Sequence, residues 1–509
     1  MSREKTPNDL NGWADRLKDL ERRSDAAQAM GGSDKLERLR GLGQMNARSR
    51  LGELLDPNSF REIGSLVGAI SEQAPADAFP AGFGTIDGRP VLVGAEDFSV
   101  AGGSIGLGGA DKRFRLTQLA LQEKVPLIFM LHGAGHRITN ALRGHGRAPN
   151  DLQGLVDLAG LVPTVCLVLG PAAGHSALAA PLMDFAAMTK AAALFSAGPP
   201  LVEAAVGERV TKEELGGPQI HVEQSGVAHN VVEDDAAALA LARQYLSYFP
   251  SNAWSSPPLV SGGDTGRRRL DEILSIIPAE DRRPYSMRKV LPILMDAGSV
   301  LELQPEYGDS IITALARLGG RSVAVLANDP SRKAGTLDRA AAEKGARFLE
   351  VVGSFGLPVI FLADNPGVMA GTAAEQEGAL RAAARLFAAQ RRLQGPKLHV
   401  TVRKAFGFGS SAMGMNPFDH QTLTLAFPGA TLGAMPARGG GAAAHADAEK
   451  QAALDAAELS GPYRIADQMG FDEIIDPREL RNALLDGLQL TEPRTAVEAG
   501  PRVRRGPLP

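Results

Sequence analysis

The stretch TIDGRPVLVGAEDF, residues 85–98, has a counterpart in ARLGGRSVAVLANDP, residues 316–330. Each is an apolar strand pair closed by a tight turn, and Gly88-Arg89 and Gly320-Arg321 are 232 residues apart. Working outward, VPLIFML (125–131) matches LPVIFLA (357–363), with Pro126 and Pro358 again 232 apart. VCLVLGPAAGHS (165–176) leads to Gly174 and HVTVRKAFGFGSS (399–411) leads to Gly407, at an offset of 233. Three matches at nearly one offset make the chain a tandem duplication.

Each half alternates short Val/Ile/Leu runs with Ala-rich helical stretches such as Lys112–Gln122 and Ala374–Gln390. That pattern belongs to βα units whose strands are covered on both faces, an α/β fold. The join, FPSNAWSSPPLVSGGDTG (249–266), reads as a linker, which divides the chain into residues 1–256 and 267–509. Residues 10–41 read as a charged helical arm with a Gly-Gly break at 31–32. EPRTAVEAGPRVRRGPLP at the end reads as a disordered tail.

The 509 residues are 44% apolar and 22% charged, with a formal net charge of −4, the balance of a soluble globular protein. This argues against nucleic-acid and anionic-membrane partners. The single cysteine, Cys166, excludes an intrachain disulfide framework and a zinc site of several thiolates. Set in VPTVCLVLG, it reads as a buried core residue in a reducing compartment. The charged N-terminus lacks the apolar run of a secretory signal. The uncharged stretch Leu158–Met183 is broken by Gly160, Pro163, Gly170, Pro171 and Gly174, and reads as a buried strand with its flanks rather than a membrane span.

The residues that stand out follow apolar strands: Leu131-His132-Gly133-Ala134-Gly135-His136-Arg137 in the first half, and Asp364-Asn365-Pro366-Gly367 and Phe406-Gly407-Phe408-Gly409-Ser410-Ser411 in the second. A glycine-containing turn from strand to helix aims backbone N–H groups outward, where they can hold an oxyanion. The alternative is a tight turn that only needs positive φ. No serine-histidine-acid motif, P-loop, HExxH helix or Rossmann fingerprint is present. His132, His136, His145 and His175 have no carboxylate at ligand spacing, so no metal site is expected.

These residues resemble the carboxyltransferase subunits of the propionyl-CoA, methylcrotonyl-CoA and acetyl-CoA carboxylases. The resemblance runs from about residue 45 to 490. ARSRLGELLDPNSFREI (47–63) is similar to the family's opening segment, and GTIDGRPVLVGAEDFSVAGGSIG (84–106) to its CoA-binding region. VTKEELGGPQIHVEQSGVAH (210–229), YLSYFPSN (245–252), MRKVLPILMDAGSVLELQPEYG (287–308) and NPGVMAGTAAEQEGALR (365–381) also match.

The resemblance implies two tandem crotonase-like (ClpP/crotonase) ββα-superhelix domains, the first taking a CoA thioester and the second biotin. It implies transfer of a carboxyl group from carboxybiotin to the α- or vinylogous γ-carbon of an acyl-CoA, with the cofactor itself acting as base. No biotin-attachment Ala-Met-Lys-Met motif is present, so biotin would arrive on a separate biotin carboxylase or carrier subunit. A homo-hexamer in the cytoplasm is implied. Decarboxylation by the reverse route and a non-catalytic paralogue within a carboxylase complex are the alternatives.

The implied oxyanion donors are Ala134 and Gly135 in the first half and Phe408 and Gly409 in the second. Gly102, Gly103, Ser104, Lys112, Arg113 and Arg137 are the implied CoA residues, with Gly407 on the biotin side. The chain departs from the family at two loops. Gly133-Ala134-Gly135-His136-Arg137 stands where the family has Ser-Gly-Gly-Ala-Arg. Arg403 through Ser411 stands where it has Arg-Lys-Ala-Tyr-Gly-Gly-Ala-Tyr-Asp, so Phe408 replaces a glycine and would be strained at positive φ. Ser411 replaces an aspartate tied to acyl-chain choice, which implies a longer or bulkier acyl group than propionyl.

Overall fold

The computed structural model describes residues 13–69, 74–143 and 150–492. The described chain forms two compact units. The first runs to His221 and includes Val231–Arg243; the second takes Val222–Asn230 and continues from Gln244.

The first unit is built on strands β1 (Arg61–Glu62), β2 (Ala81–Ile86), β3 (Arg89–Ala95), β4 (Leu127–Gly133), β5 (Thr164–Ala173), β6 (Phe185–Thr189), β7 (Ala193–Phe195) and β8 (Asn230–Val232). Their order in the sheet is β1-β2-β3-β4-β5-β6-β8, with β7 beside the far end of β5. β2 and β3 are an antiparallel hairpin turned at Asp87 and Gly88, both at positive φ, the conformation that matches strand twist. From β3 to β6 pairing is parallel, and the helices Leu107–Glu123 and Asp151–Leu158 make two of the crossovers. β4 is buried at every residue, as its unbroken apolar sequence requires of a strand covered on both faces.

The second unit repeats this plan with β9 (Leu301–Leu303), β10 (Ile311–Leu318), β11 (Arg321–Asn328), β12 (Val359–Asn365), β13 (Lys397–Phe406), β14 (Gln421–Ala426), β15 (Thr431–Gly433) and β16 (Glu473–Ile474). The duplication extends to the register. Leu127 pairs with Thr164 and Val359 with Lys397, and the ladder shifts between Leu131 and Gly133 in one sheet and between Ala363 and Asn365 in the other. Both shifts fall where the strands meet the loops carrying the candidate residues.

Two expectations change. Ala374–Gln390 is two helices, Thr372–Glu377 and Ala379–Arg392, because Gly378 at φ 88 ends the first. The 249–266 segment is no free linker: Phe249 is buried, Leu259 bridges to Arg321, and the Val260 N–H bonds the Gly320 carbonyl. Leu158–Met183 spans a helix end, β5 and the short helix Ala179–Leu182. No described helix is long and apolar enough to cross a membrane. The arm consists of Trp13–Gln28 and Ser33–Gly41, broken where Met30 and Gly32 take positive φ. The expected tail, residues 493–509, and His145 lie outside the described residues.

Candidate functional site

In the first unit, the loop after β3 and the loop after β4 lie against each other. Ala101, Gly102 and Gly103 take φ of 47°, 63° and 65° in succession. Crowding fixes this: a Cβ on Gly103 would fall 2.3 Å from the His132 carbonyl oxygen. The Ile105 N–H donates to Gly135 O at 2.8 Å and the Arg137 N–H to Ile105 O at 2.9 Å. Arg137 Nη1 reaches Asp77 Oδ1 at 2.8 Å, and Nη2 reaches Ser104 O at 2.9 Å. The structure thus gathers Gly102, Gly103, Ser104, Ala134, Gly135 and Arg137. The Ala134 N–H, however, donates to Gly102 O at 3.1 Å, so it holds the two loops together instead of facing a ligand.

Lys112 and Arg113 are placed differently from the expectation that they meet CoA phosphates. Lys112 is buried, its Nζ donating to Phe79 O at 2.6 Å and Ala76 O at 3.2 Å; burial lowers its pKa to about 8. Lys344, its counterpart 232 residues on, holds Ile311 O, Gln304 O and Tyr307 O in the same way. A lysine that both halves use to tie carbonyls together is part of the scaffold. Arg113 is buried too, between the rings of Phe79 and Phe129, each 4.8 Å from its guanidinium carbon. It pairs with Asp151 at 2.7 Å and Glu96 at 3.0 Å.

Two features escaped the sequence reading. The first is a cleft of about 500 Å³ lined by Met30, Gly31 and Lys35 of the arm together with Ser99, Ala101 and Arg137. Gly31 permits it: its N–H donates to Ser99 Oγ at 3.0 Å, and a Cβ there would lie 2.1 Å from Ser99 O. Lys35 Nζ reaches Ser99 O at 3.0 Å from an exposed position. The second is the turn after β5. Gly174 and Gly407 are equivalent, so His175 and Ser176 are the counterparts of Phe408 and Gly409. Their N–H groups meet no acceptor among the described residues. The repeat offset carried that signal.

In the second unit, β13 ends in a turn at Gly407, φ 57°, and opens the short helix Gly407–Ala412. The positive φ falls on Gly407, so Phe408 is helical and unstrained, with its ring half exposed. The first N–H groups of the helix have no carbonyl four residues back to bond. Gly409 is hemmed in: a Cβ would lie 2.9 Å from Asn365 Oδ1 and 3.0 Å from the Gly367 Cα. Beneath, Arg403 Nε pairs with the buried Asp364 at 2.8 Å and stacks on Tyr285. Ser411 lies on the helix, partly buried, and Phe406, which ends β13, is buried.

The carboxyl transferase domain family matches residues 40–505. The chain belongs to the carboxyl transferase family. This carboxyltransferase is 32% identical to the propionyl-CoA carboxylase carboxyltransferase subunit of Haloferax mediterranei, over 97% of this chain and 99% of that one. It is 33% identical to the methylmalonyl-CoA decarboxylase subunit alpha of Veillonella parvula, over 91% of this chain and 93% of that one. Its fold matches the transcarboxylase 12S crystal structure with methylmalonyl-coenzyme A bound, described as a hexamer, with a TM-score of 0.89, 32% identity and coverage of 99% and 100%.

Proposed function

We propose that this carboxyltransferase moves a carboxyl group between biotin on a separate carrier and an acyl-CoA, with the thioester on the first unit and biotin on the second. The observation that carries the reading is the repeated turn. Gly174 and Gly407 each end the equivalent strand at φ near 60°, and each is followed by N–H groups that meet no backbone acceptor among the described residues. The turn after β13 suits a carbonyl-type oxygen such as the biotin ureido group, since Gly409 leaves no room for a side chain. When bound, carboxybiotin supplies the carboxyl group and, once that group has left, a base.

The chain's own part is electrostatic. His175 and Ser176 N–H groups stabilise the enolate oxygen of the thioester, and Phe408 and Gly409 N–H groups stabilise the ureido oxygen. Removing one such donor typically costs about 2.7–4 kcal/mol of transition-state stabilisation. Gly102, Gly103 and Ser104 let the thioester arm approach the backbone closely, and the cleft beside Lys35 takes the phosphates. The hexamer of the 12S relative is the assembly expected here, and the buried, lone Cys166 suits a cytoplasmic setting.

The experiment is to mix the chain with a biotinylated carrier and methylmalonyl-CoA and weigh the carrier by mass spectrometry. Gain of a carboxyl group on biotin supports the reading. An uncharged carrier in the presence of bound thioester overturns it. Sedimentation tests the assembly, and a stable, active monomer would rule out the hexamer.

A further inference from the structure

A line of buried charge runs through the first unit and ends on an imidazole. Glu96 Oε2 accepts from the His132 N–H at 2.7 Å, and Glu96 Oε1 accepts from Arg113 Nη1 at 3.0 Å. Arg113 Nε donates to Asp151 Oδ2 at 2.7 Å, and Asp151 Oδ1 lies 2.6 Å from His175 Nε2. Glu96, Arg113 and Asp151 are each 1% exposed. Burying such groups is costly, and apolar residues of similar volume serve stability as well or better. The carboxyl-transfer reading gives this line no task.

The line fixes the state of the ring. Burial pushes the Asp151 carboxyl up, but Arg113 and His175 outweigh it and hold the group well below the usual carboxylate range. Asp151 is therefore ionised and can only accept, so in the neutral ring Nε2 of His175 carries the proton and the lone pair lies on Nδ1. No described residue hydrogen-bonds Nδ1. The ring of His136, from the loop after β4, meets that of His175 edge-on at 4.6 Å. The N–H groups of His175 and Ser176, which meet no backbone acceptor among the described residues, belong to the same turn.

We propose that His175 is a base supplied by the protein, taking the α-proton of an acyl-CoA without help from biotin. The Cα–H bond breaks and the proton goes to Nδ1. The electron pair forms a C=C bond to the thioester carbon, and the carbonyl pair moves to the oxygen held by the turn's N–H groups. Asp151 stabilises the imidazolium formed, as an orienting carboxylate does in a triad. Return of the proton restores the thioester, so nothing is oxidised or consumed. The inference rests on the reading that a CoA thioester docks on the first unit.

The test is α-hydrogen exchange. The full chain, without biotin or carrier, is incubated with propionyl-CoA in D2O, and deuterium at the α-carbon is followed by mass spectrometry. Exchange well above the buffer rate is expected, and its pH profile is recorded. The groups that set this profile are Asp151, Arg113 and Glu96 along the line and His136 on the facing loop. His175→Gln should lose roughly 100-fold or more, the usual share of a positioned base. Asp151→Asn should lower the rate and move the pH profile while the ring remains. Calorimetric titration of propionyl-CoA separates the two readings. Binding without exchange above buffer, or a His175→Gln variant that exchanges at the wild-type rate, overturns this inference alone. Absence of binding overturns both.

Discussion

Gly103 and Gly335, 232 residues apart, each hold a left-handed turn against the carbonyl of the next strand. A Cβ would fall 2.3 Å from His132 O in one case and 2.5 Å from Asp364 O in the other. Their φ values are 65° and 78°. The pair defines how closely the loop after the hairpin packs on the following strand in each unit.

The contrast with Gly102 gives a prediction. Gly102 also has positive φ, 63°, but a Cβ there meets nothing within 4 Å. Gly102→Ala should cost only the left-handed strain, about 1–2 kcal/mol. Gly103→Ala adds a backbone clash that the loop must move to relieve, so it should lower the urea midpoint further and weaken thioester binding. Equal midpoints for the two variants would count against this packing argument.

Lys35 and Lys112 should behave in opposite ways. Lys35 is exposed beside the cleft, so Lys35→Glu should raise the KM for the thioester with kcat and thermal midpoint nearly unchanged. Lys112→Met strands the carbonyls of Phe79 and Ala76, which should destabilise the fold by about 1–3 kcal/mol and leave KM unchanged, with apparent kcat falling only through loss of folded protein. Steady-state kinetics beside thermal melts decide it. A Lys112→Met variant of full stability and raised KM would return Lys112 to the binding site.

Much of the fold was legible because duplication prints itself twice. The hairpins at Gly88 and Gly320, and the prolines before β4 and β12, are backbone requirements that both copies keep. What the sequence hides is direction. Lys112 and Arg113 look like surface cations beside a glycine loop, and only packing shows them facing inward. The Ala134 amide looks like an oxyanion donor until the Gly102 carbonyl takes it. The His175 turn was readable by offset from Gly407, but its partnership with Asp151 joins residues whose spacing carries no periodicity.

Acid should destabilise the protein through its buried histidines. Burial, then the charge of Arg50, lowers the His132 pKa to about 3; burial lowers His399 to about 4. Above their ordinary value of 6.5 both rings are neutral, folded or unfolded. Below it only the unfolded chain takes up protons, so stability falls as pH drops from 6.5 toward the folded values. Each ring costs about 1.4 kcal/mol per pH unit in that window. Urea midpoints at pH 7, 6 and 5 measure the slope, and His399→Gln, which does not titrate, should flatten it. A midpoint constant over this range would contradict the burial of both rings.

The acyl-chain preference is expected to extend beyond propionyl. Ser411 is uncharged and partly buried. Each further buried methylene could contribute about 0.8 kcal/mol, a preference that an ionised carboxylate at 411 would oppose. A kcat/KM series over acyl-CoAs of increasing length should peak beyond propionyl, and Ser411→Asp should shorten the optimum. A maximum at acetyl- or propionyl-CoA would refute the preference.

Phe408 separates backbone from side chain. The proposed donor is its N–H, while its ring is half exposed. Phe408→Ala keeps the N–H and should change the turnover of carboxyl transfer by only a few-fold. Phe408→Pro removes it. Proline is tolerated in the first turn of a helix, where the N–H has no intrahelical partner, and Phe408 is the second residue of Gly407–Ala412. The Pro variant should therefore fold, with a thermal midpoint close to that of the Ala variant. Its kcat for transfer should fall roughly 100- to 1000-fold, the range for loss of one oxyanion donor. Thioester binding, placed on the first unit, should be unchanged in both variants. If Phe408→Ala loses as much turnover as Phe408→Pro, the ring is what matters, and the Phe408 amide is not the ureido donor.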